Sequence, residues 1–142
     1  MEKVKTKPDD YIKSLSDDVR VDIEKLDKEI SKIMNGTSRV LWSGVFWGGS
    51  EQNIIGYGDF PYVRKGKKVE WFFIGLAVQK NYISLYVNAV EDNKYLSQKY
   101  ADQLGKVKVG ASSISFKRLA DVDMPNLLEM LKRASSQLKA AA

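Results

Sequence analysis

The alternation of apolar and polar positions is clearest between Glu70 and Val90, where two runs mirror each other about Lys80-Asn81. A two-residue turn there, with Asn81 suited to positive φ, pairs Val78 with Ile83, Leu76 with Leu85, Ile74 with Val87 and Phe72 with Ala89. That face of the predicted hairpin is wholly apolar. The other face pairs Gln79 with Tyr82, Ala77 with Ser84, Gly75 with Tyr86, Phe73 with Asn88 and Trp71 with Val90, mixing aromatic, small and polar groups. Because side chains alternate across a strand, the first face is expected against helices and the second toward solvent or a ligand.

The flanking segments supply those helices. Pro8-Asp9-Asp10 opens a short turn carrying Tyr11, Ile12 and Leu15, and Ser16-Asp17-Asp18 reads as an N-cap with two acids behind it. Val19, Ile23, Leu26, Ile30 and Ile33 then recur at helical spacing beside Met34, and Asn35-Gly36 ends the run. Near the other end, Asp123 caps a helix with Pro125 in its first turn and a stripe of Leu127, Leu131, Ala134 and Leu138. Asp92 is expected to cap a further helix bearing Leu96, Tyr100 and Leu104. Strands are predicted over Arg39 to Trp47 with a bulge at Ser43-Gly44, over Asn53 to Val63, and over Ser113 to Lys117, while Gly48-Gly49-Ser50 reads as a flexible corner. The order gives an α+β fold: a mainly antiparallel sheet with N-terminal and C-terminal helices on one face.

Length and composition narrow the rest. At 142 residues the chain fits one domain, read as residues 9–138, with a flexible leader over residues 1–8 and a tail over residues 139–142. No apolar run reaches the ~20 residues of a membrane span, and Met1 to Pro8 lacks the apolar stretch of a secretory signal, so the expected location is the cytoplasm. The chain has no cysteine and no histidine, which removes disulfides, thiolate nucleophiles, a Ser-His-Asp triad and imidazole or thiolate zinc sites. Binding is therefore the expected role, ahead of catalysis. The net charge of +5 is uneven: residues 1–35 hold eight Lys/Arg against nine Asp/Glu, and the remainder hold fifteen against nine. A modest basic excess of this kind is read first as a solubility feature.

Several pieces recur together: Tyr11-Ile12-Lys13-Ser14-Leu15, Trp42, Gly56-Tyr57-Gly58 with Tyr62, Trp71 with Ile74-Gly75-Leu76, Lys80, Leu85-Tyr86, Leu104-Gly105-Lys106 with Lys108 and Gly110, and Phe116 to Asp123. In this order they resemble the YdhG-like family of small bacterial domains of unknown function, some members of which are described as frataxin-like iron chaperones. The resemblance covers most of residues 11–134 and implies the same α+β architecture. The chain departs from that pattern at Phe46 to Asn53, where Trp47-Gly48-Gly49-Ser50 is inserted ahead of the Gly-Tyr-Gly piece.

Three candidate sites follow. The preferred one is an aromatic depression over Gly75, with Trp71, Phe73 and Tyr86 as walls, Trp42, Tyr57 and Tyr62 nearby, and Lys80 and Lys106 at the rim. Its occupant is an unidentified small molecule or protein, a second copy of the chain in a homodimer included; the competing reading is a second hydrophobic layer. The basic loop from Arg64 to Lys68, with Lys106, Lys108, Lys117 and Arg118, sits in turns and exposed positions without a known nucleic-acid motif, which argues against nucleic acid as the partner. The alternative function is the iron chaperone that the resemblance implies, using Asp18, Asp22 and Glu29 on one sector of the first long helix. Lys25 shares that sector, and Glu24 is placed to pair with Lys28, so the bland reading is a salt-bridged helix face.

Overall fold

The paired runs about Lys80-Asn81 form the middle of a seven-stranded sheet. The computed structural model describes residues 1–45 and 51–141. In chain order the elements are β1 (Glu2–Lys3), α1 (Pro8–Lys13), α2 (Asp17–Ile33), β2 (Arg39–Val45), β3 (Glu51–Asp59), β4 (Tyr62–Arg64), β5 (Lys67–Val69), β6 (Phe72–Val78) and β7 (Ile83–Val87). They continue with β8 (Val90–Glu91), β9 (Lys94–Tyr95), α3 (Leu96–Lys99), β10 (Lys108–Val109), β11 (Ser113–Phe116) and α4 (Met124–Ala141). The sheet order is β1-β2-β3-β6-β7-β11-β10, and every neighbouring pair is antiparallel. Two separate hairpins, β4-β5 and β8-β9, stand off this sheet as arms.

The central register is the one the apolar alternation predicts: Ile74 faces Val87, Leu76 faces Leu85 and Val78 faces Ile83. Gln79 N–H donates to the Tyr82 carbonyl at 2.8 Å to close the turn. Asn81 does not adopt positive φ, so its tolerance for that region is not used. The apolar face receives Ile23, Leu26 and Ile30 of α2 and Leu127, Met130, Leu131 and Ala134 of α4 in one core, and Leu96, Tyr100 and Leu104 join it from α3 and the turn after it. Asp123 does cap α4, its Oδ1 accepting the Asn126 N–H at 3.1 Å. The fold is thus α+β, with the helices gathered on one face of an antiparallel sheet.

Four expectations are corrected. Residues 1–8 are not a free leader: Glu2 and Lys3 pair with Ser43 and Trp42, and Pro8 is buried at the start of α1. Asp92 does not cap a helix, because it and Asn93 take φ of 54° and 65° in the β8-β9 turn, and α3 begins only at Leu96. Ser43 and Gly44 carry no bulge, since both stay in register with Asn53 and Gln52. The segment after residue 138 continues α4 to Ala141. The expected corner at Gly48-Gly49-Ser50 lies outside the described residues.

The departure with the largest effect is at the start of β6. Phe73 and Ile74, consecutive residues, both enter the helix-side core, while Phe72 turns to the opposite face with Trp42, Ile54 and Ala77. Opposite Phe73, Gly58 takes φ of +79°, outside the extended region, so the regular pleat is not carried through this point. A Cβ at Gly58 would stand 3.0 Å from Leu138 and from Met34, on the helix side. Sequence alternation assigns Phe72 inward and Phe73 outward; the structure exchanges them.

Candidate functional site

On the face away from the helices, Phe72 lies over two strand glycines. A Cβ at Gly56 would meet Trp42 Nε1 at 2.6 Å and Phe72 Cβ at 2.8 Å, and one at Gly75 would run into the Phe72 ring and Ile54 Cγ2. The space expected to hold a ligand over Gly75 therefore holds Phe72. Around it the rings form a connected layer: Trp71 stacks on Phe72 with centroids 4.5 Å apart, Trp42 meets both edge-on at 5.7 and 5.8 Å, and Tyr86 lies 6.4 Å from Phe72. Lys3 adds its ammonium 5.6 Å above the Trp42 ring. Burial of the Tyr86 ring raises its pKa above the ordinary value of 10.0.

The open space lies beside this layer, against the β4-β5 arm. A depression of about 920 Å³ lies there, with Phe60, Tyr62, Trp71 and Tyr95 as aromatic walls. Arg64, Glu70 and the Asn88 amide supply its polar groups, and Met1 and Val45 border it from the sheet edge. Tyr62 stands at 85° to Trp71 with centroids 6.5 Å apart, and it is 40% exposed. Both arms owe their shape to two-residue turns in which each residue has positive φ: Lys65 and Gly66 at 51° and 76° in β4-β5, Asp92 and Asn93 in β8-β9. Such turns match the twist of a hairpin. Asn88 fixes the floor, its Nδ2 donating to the Phe72 carbonyl at 2.9 Å and its backbone N–H to that of Phe73 at 3.0 Å.

Of the residues expected at the site, the structure brings together Tyr62 and Trp71 on the depression wall, with Trp42 and Tyr86 in the adjoining layer. Trp71 and Tyr86 are half-buried, and among the described residues they pack in the layer on the face away from the helices. Phe73 and Tyr57 are corrections: both are buried in the helix-side core, because the pleat is lost at Gly58 and because Tyr57 sits one residue out of phase with Gly56. Lys80 and Lys106 are exposed but line no part of the depression; Lys80 sits in the β6-β7 turn, at the opposite end of those strands from both arms. Sequence reasoning missed Phe60 and Tyr95, which enter only through the arms. The Asp92-Asn93 pair was the signal for the second arm.

A second cluster went unread. Arg39 of β2 donates Nε to Asp27 Oδ1 at 3.0 Å and Nη2 to Asp27 Oδ2 at 2.8 Å, while Nη2 also reaches Asp9 Oδ1 at 2.8 Å. Tyr57 Oη donates to the same Asp27 carboxylate at 2.6 Å. One acid thus ties α2 to β2 and β3, and Arg39 extends the tie to α1. Burial works against the Arg39 charge, yet the hydrogen bonds to Asp27 and Asp9 and the charge of Asp27 outweigh it and raise its pKa. For Tyr57, burial first and then the Asp27 charge push the phenol well above its ordinary 10.0. The arrangement holds three elements and the start of the chain's helical part together through one carboxylate.

The first-helix carboxylates do not converge. Asp22 Oδ2 accepts the Leu119 N–H at 3.1 Å, Glu29 faces Lys32 at 3.7 Å, and Asp18 is exposed. Glu24 pairs with Arg20, at 3.4 Å, instead of Lys28. Among the described residues no group of three or more acidic side chains is placed to hold a metal ion. No helix of the described residues is long and apolar enough to cross a membrane.

No protein-family model matches the chain, nor does any curated protein or solved structure.

Proposed function

We propose that the protein is a non-enzymatic binding module whose ligand or partner occupies the depression between the β4-β5 and β8-β9 arms, beside the aromatic layer of the uncovered sheet face. The observation that carries this reading is the orthogonal pair Tyr62 and Trp71 on the wall of a cavity of about 920 Å³, a volume in the range of small-ligand sites. Two rings at right angles present one face and one edge to an occupant, and Arg64, Glu70 and Asn88 can orient its polar groups. The missing histidine and cysteine support binding over group transfer. Membership of the YdhG-like domains is part of the same proposal and rests on the sequence pieces alone.

The test is amide and indole chemical-shift mapping of the labelled protein against a panel of small aromatic and anionic fragments. Shifts gathered on Tyr62, Trp71, Asn88 and Tyr95 are the expected result. Fragments that move only residues elsewhere, or none, would overturn it.

A further inference from the structure

The β4-β5 arm carries its charge in a particular arrangement. Its register sets Tyr62 opposite Val69, Val63 opposite Lys68 and Arg64 opposite Lys67. Paired residues share a face and the next pair takes the other, so Tyr62, Val69, Arg64 and Lys67 lie on one side of the ribbon. That is the side lining the depression, to which Tyr62, Arg64 and Val69 all contribute. An apolar base with an aromatic ring thus grades into two cations toward the tip, over one strand spacing. Lys65 at the turn and Lys68 on the far side extend the charge beyond the cavity. Among the described residues none of these four cations enters an ion pair, whereas Lys3, Arg20, Lys32, Arg39, Lys99 and Arg133 all do.

From this geometry we infer that the occupant is single-stranded nucleic acid, held with a base against Tyr62 and Trp71 and its backbone phosphates along Arg64 and Lys67. The inference rests on the binding-module reading and names its partner. Stacking on aromatic walls is open to any base, and unpaired cations beside them track the backbone, which is the division of labour in single-strand binding surfaces. A single phosphate would be matched by Arg64 and Lys67 alone. Of the four cations only Arg64 lines the cavity, and Lys65 and Lys68 lie off the face that Arg64 and Lys67 share, where only a polymer running on past the arm reaches them. The Arg64 to Lys68 run reads from sequence as a solvated turn; the pairing that sets Arg64 and Lys67 beside Tyr62 gives it a direction.

The experiment is fluorescence anisotropy with a labelled pyrimidine oligomer of about ten nucleotides, within the usual single-strand site sizes, at about 50 mM salt and then at rising salt. Binding should weaken linearly in log-log form. The Arg64→Gln/Lys67→Gln double variant should bind more weakly and flatten that slope by roughly 1.4, the value for two phosphate contacts. Tyr62→Ala should lose roughly 5- to 150-fold in affinity with the slope unchanged, as expected for one stacked base. All three side chains are exposed, and circular dichroism of each variant confirms the fold. Absence of oligomer binding, a double variant that binds like the parent, or a mononucleotide that binds as tightly as the oligomer would each overturn the inference. If fragments still shift Tyr62 and Trp71 while the oligomer fails, the partner is wrong and the module stands; if both fail, both fall.

Discussion

The ring of Phe72 lies where a side chain on Gly75 of the same strand would have to go, on the face away from the helices. The two residues are three apart on β6, too far for neighbouring positions of a regular pleat to touch in this way. The reversal at Phe73 brings them together, and it makes Gly75 a packing position with no room to spare.

Gly75→Ala should therefore destabilise the protein. Alanine in a strand ordinarily gains about 0.5–1 kcal/mol over glycine, but overpacking costs about 1–3 kcal/mol and should dominate. Urea unfolding gives the sign directly. Phe72→Leu in the same chain should recover part of the loss, which a double-mutant cycle would register as coupling between the two sites.

Asp27→Ala should cost roughly 2–4 kcal/mol, because it leaves the buried Tyr57 hydroxyl without its acceptor and the Arg39 guanidinium with only the exposed Asp9. Tyr57→Phe removes only one of those bonds and keeps the ring, for a loss of about 1–2 kcal/mol. If the two variants unfolded at the same denaturant concentration, the shared-acid arrangement would be refuted.

Glu91 accepts from Lys99 at 2.8 Å and from Arg133 Nε at 2.7 Å, joining the β8-β9 arm to α3 and α4. The hydrogen bond from Lys99 leads in holding its pKa below the ordinary 4.5, with Arg133 adding to it and burial opposing both. A depressed carboxylate pKa means that the folded state holds its proton less tightly than the unfolded one. This contribution is complete above pH 4.5 and disappears as pH falls through the lower folded-state value. Glu91→Gln should be less stable than the parent near neutrality, and the gap should close on acidification. Unfolding midpoints measured across that range, with no convergence of the two curves, would contradict this.

Leu76 and Leu85 face each other in register and are both fully buried beneath the helices. Either one changed to alanine should lose about 2–5 kcal/mol. The double variant should depart from the sum of the two, since both cavities open into the same layer. Thermal or urea unfolding of the three variants measures it.

The central register was legible because a one-residue slip would turn Leu76 and Leu85 to the open face, so the alternation leaves one solution. The helix stripes were legible for the same reason, with Ile23, Leu26 and Ile30 each buried where their spacing puts them. Phe72 and Phe73 were not, because two adjacent phenylalanines satisfy either phase and the decision is made by the backbone at Gly58, a strand away. The candidate site suffered from that exchange: Tyr62 and Trp71 were found, Phe73 and Tyr57 misplaced, and the cavity moved from Gly75 to the arms. Tyr57, Asp27 and Arg39 are far apart in the chain, and no local pattern announces that one carboxylate will serve both partners.

The sheet closes on each side with a strand of only two residues, and each of these carries a lysine, Lys3 in β1 and Lys108 in β10. An uncovered strand border offers its amides and carbonyls to any chain that drifts past, and long, flat, apolar borders are where fibrils begin. Here a newcomer would find a ladder of two residues and an ammonium group in its way. Growth by stacking one molecule's rim on the next is thereby discouraged at both borders.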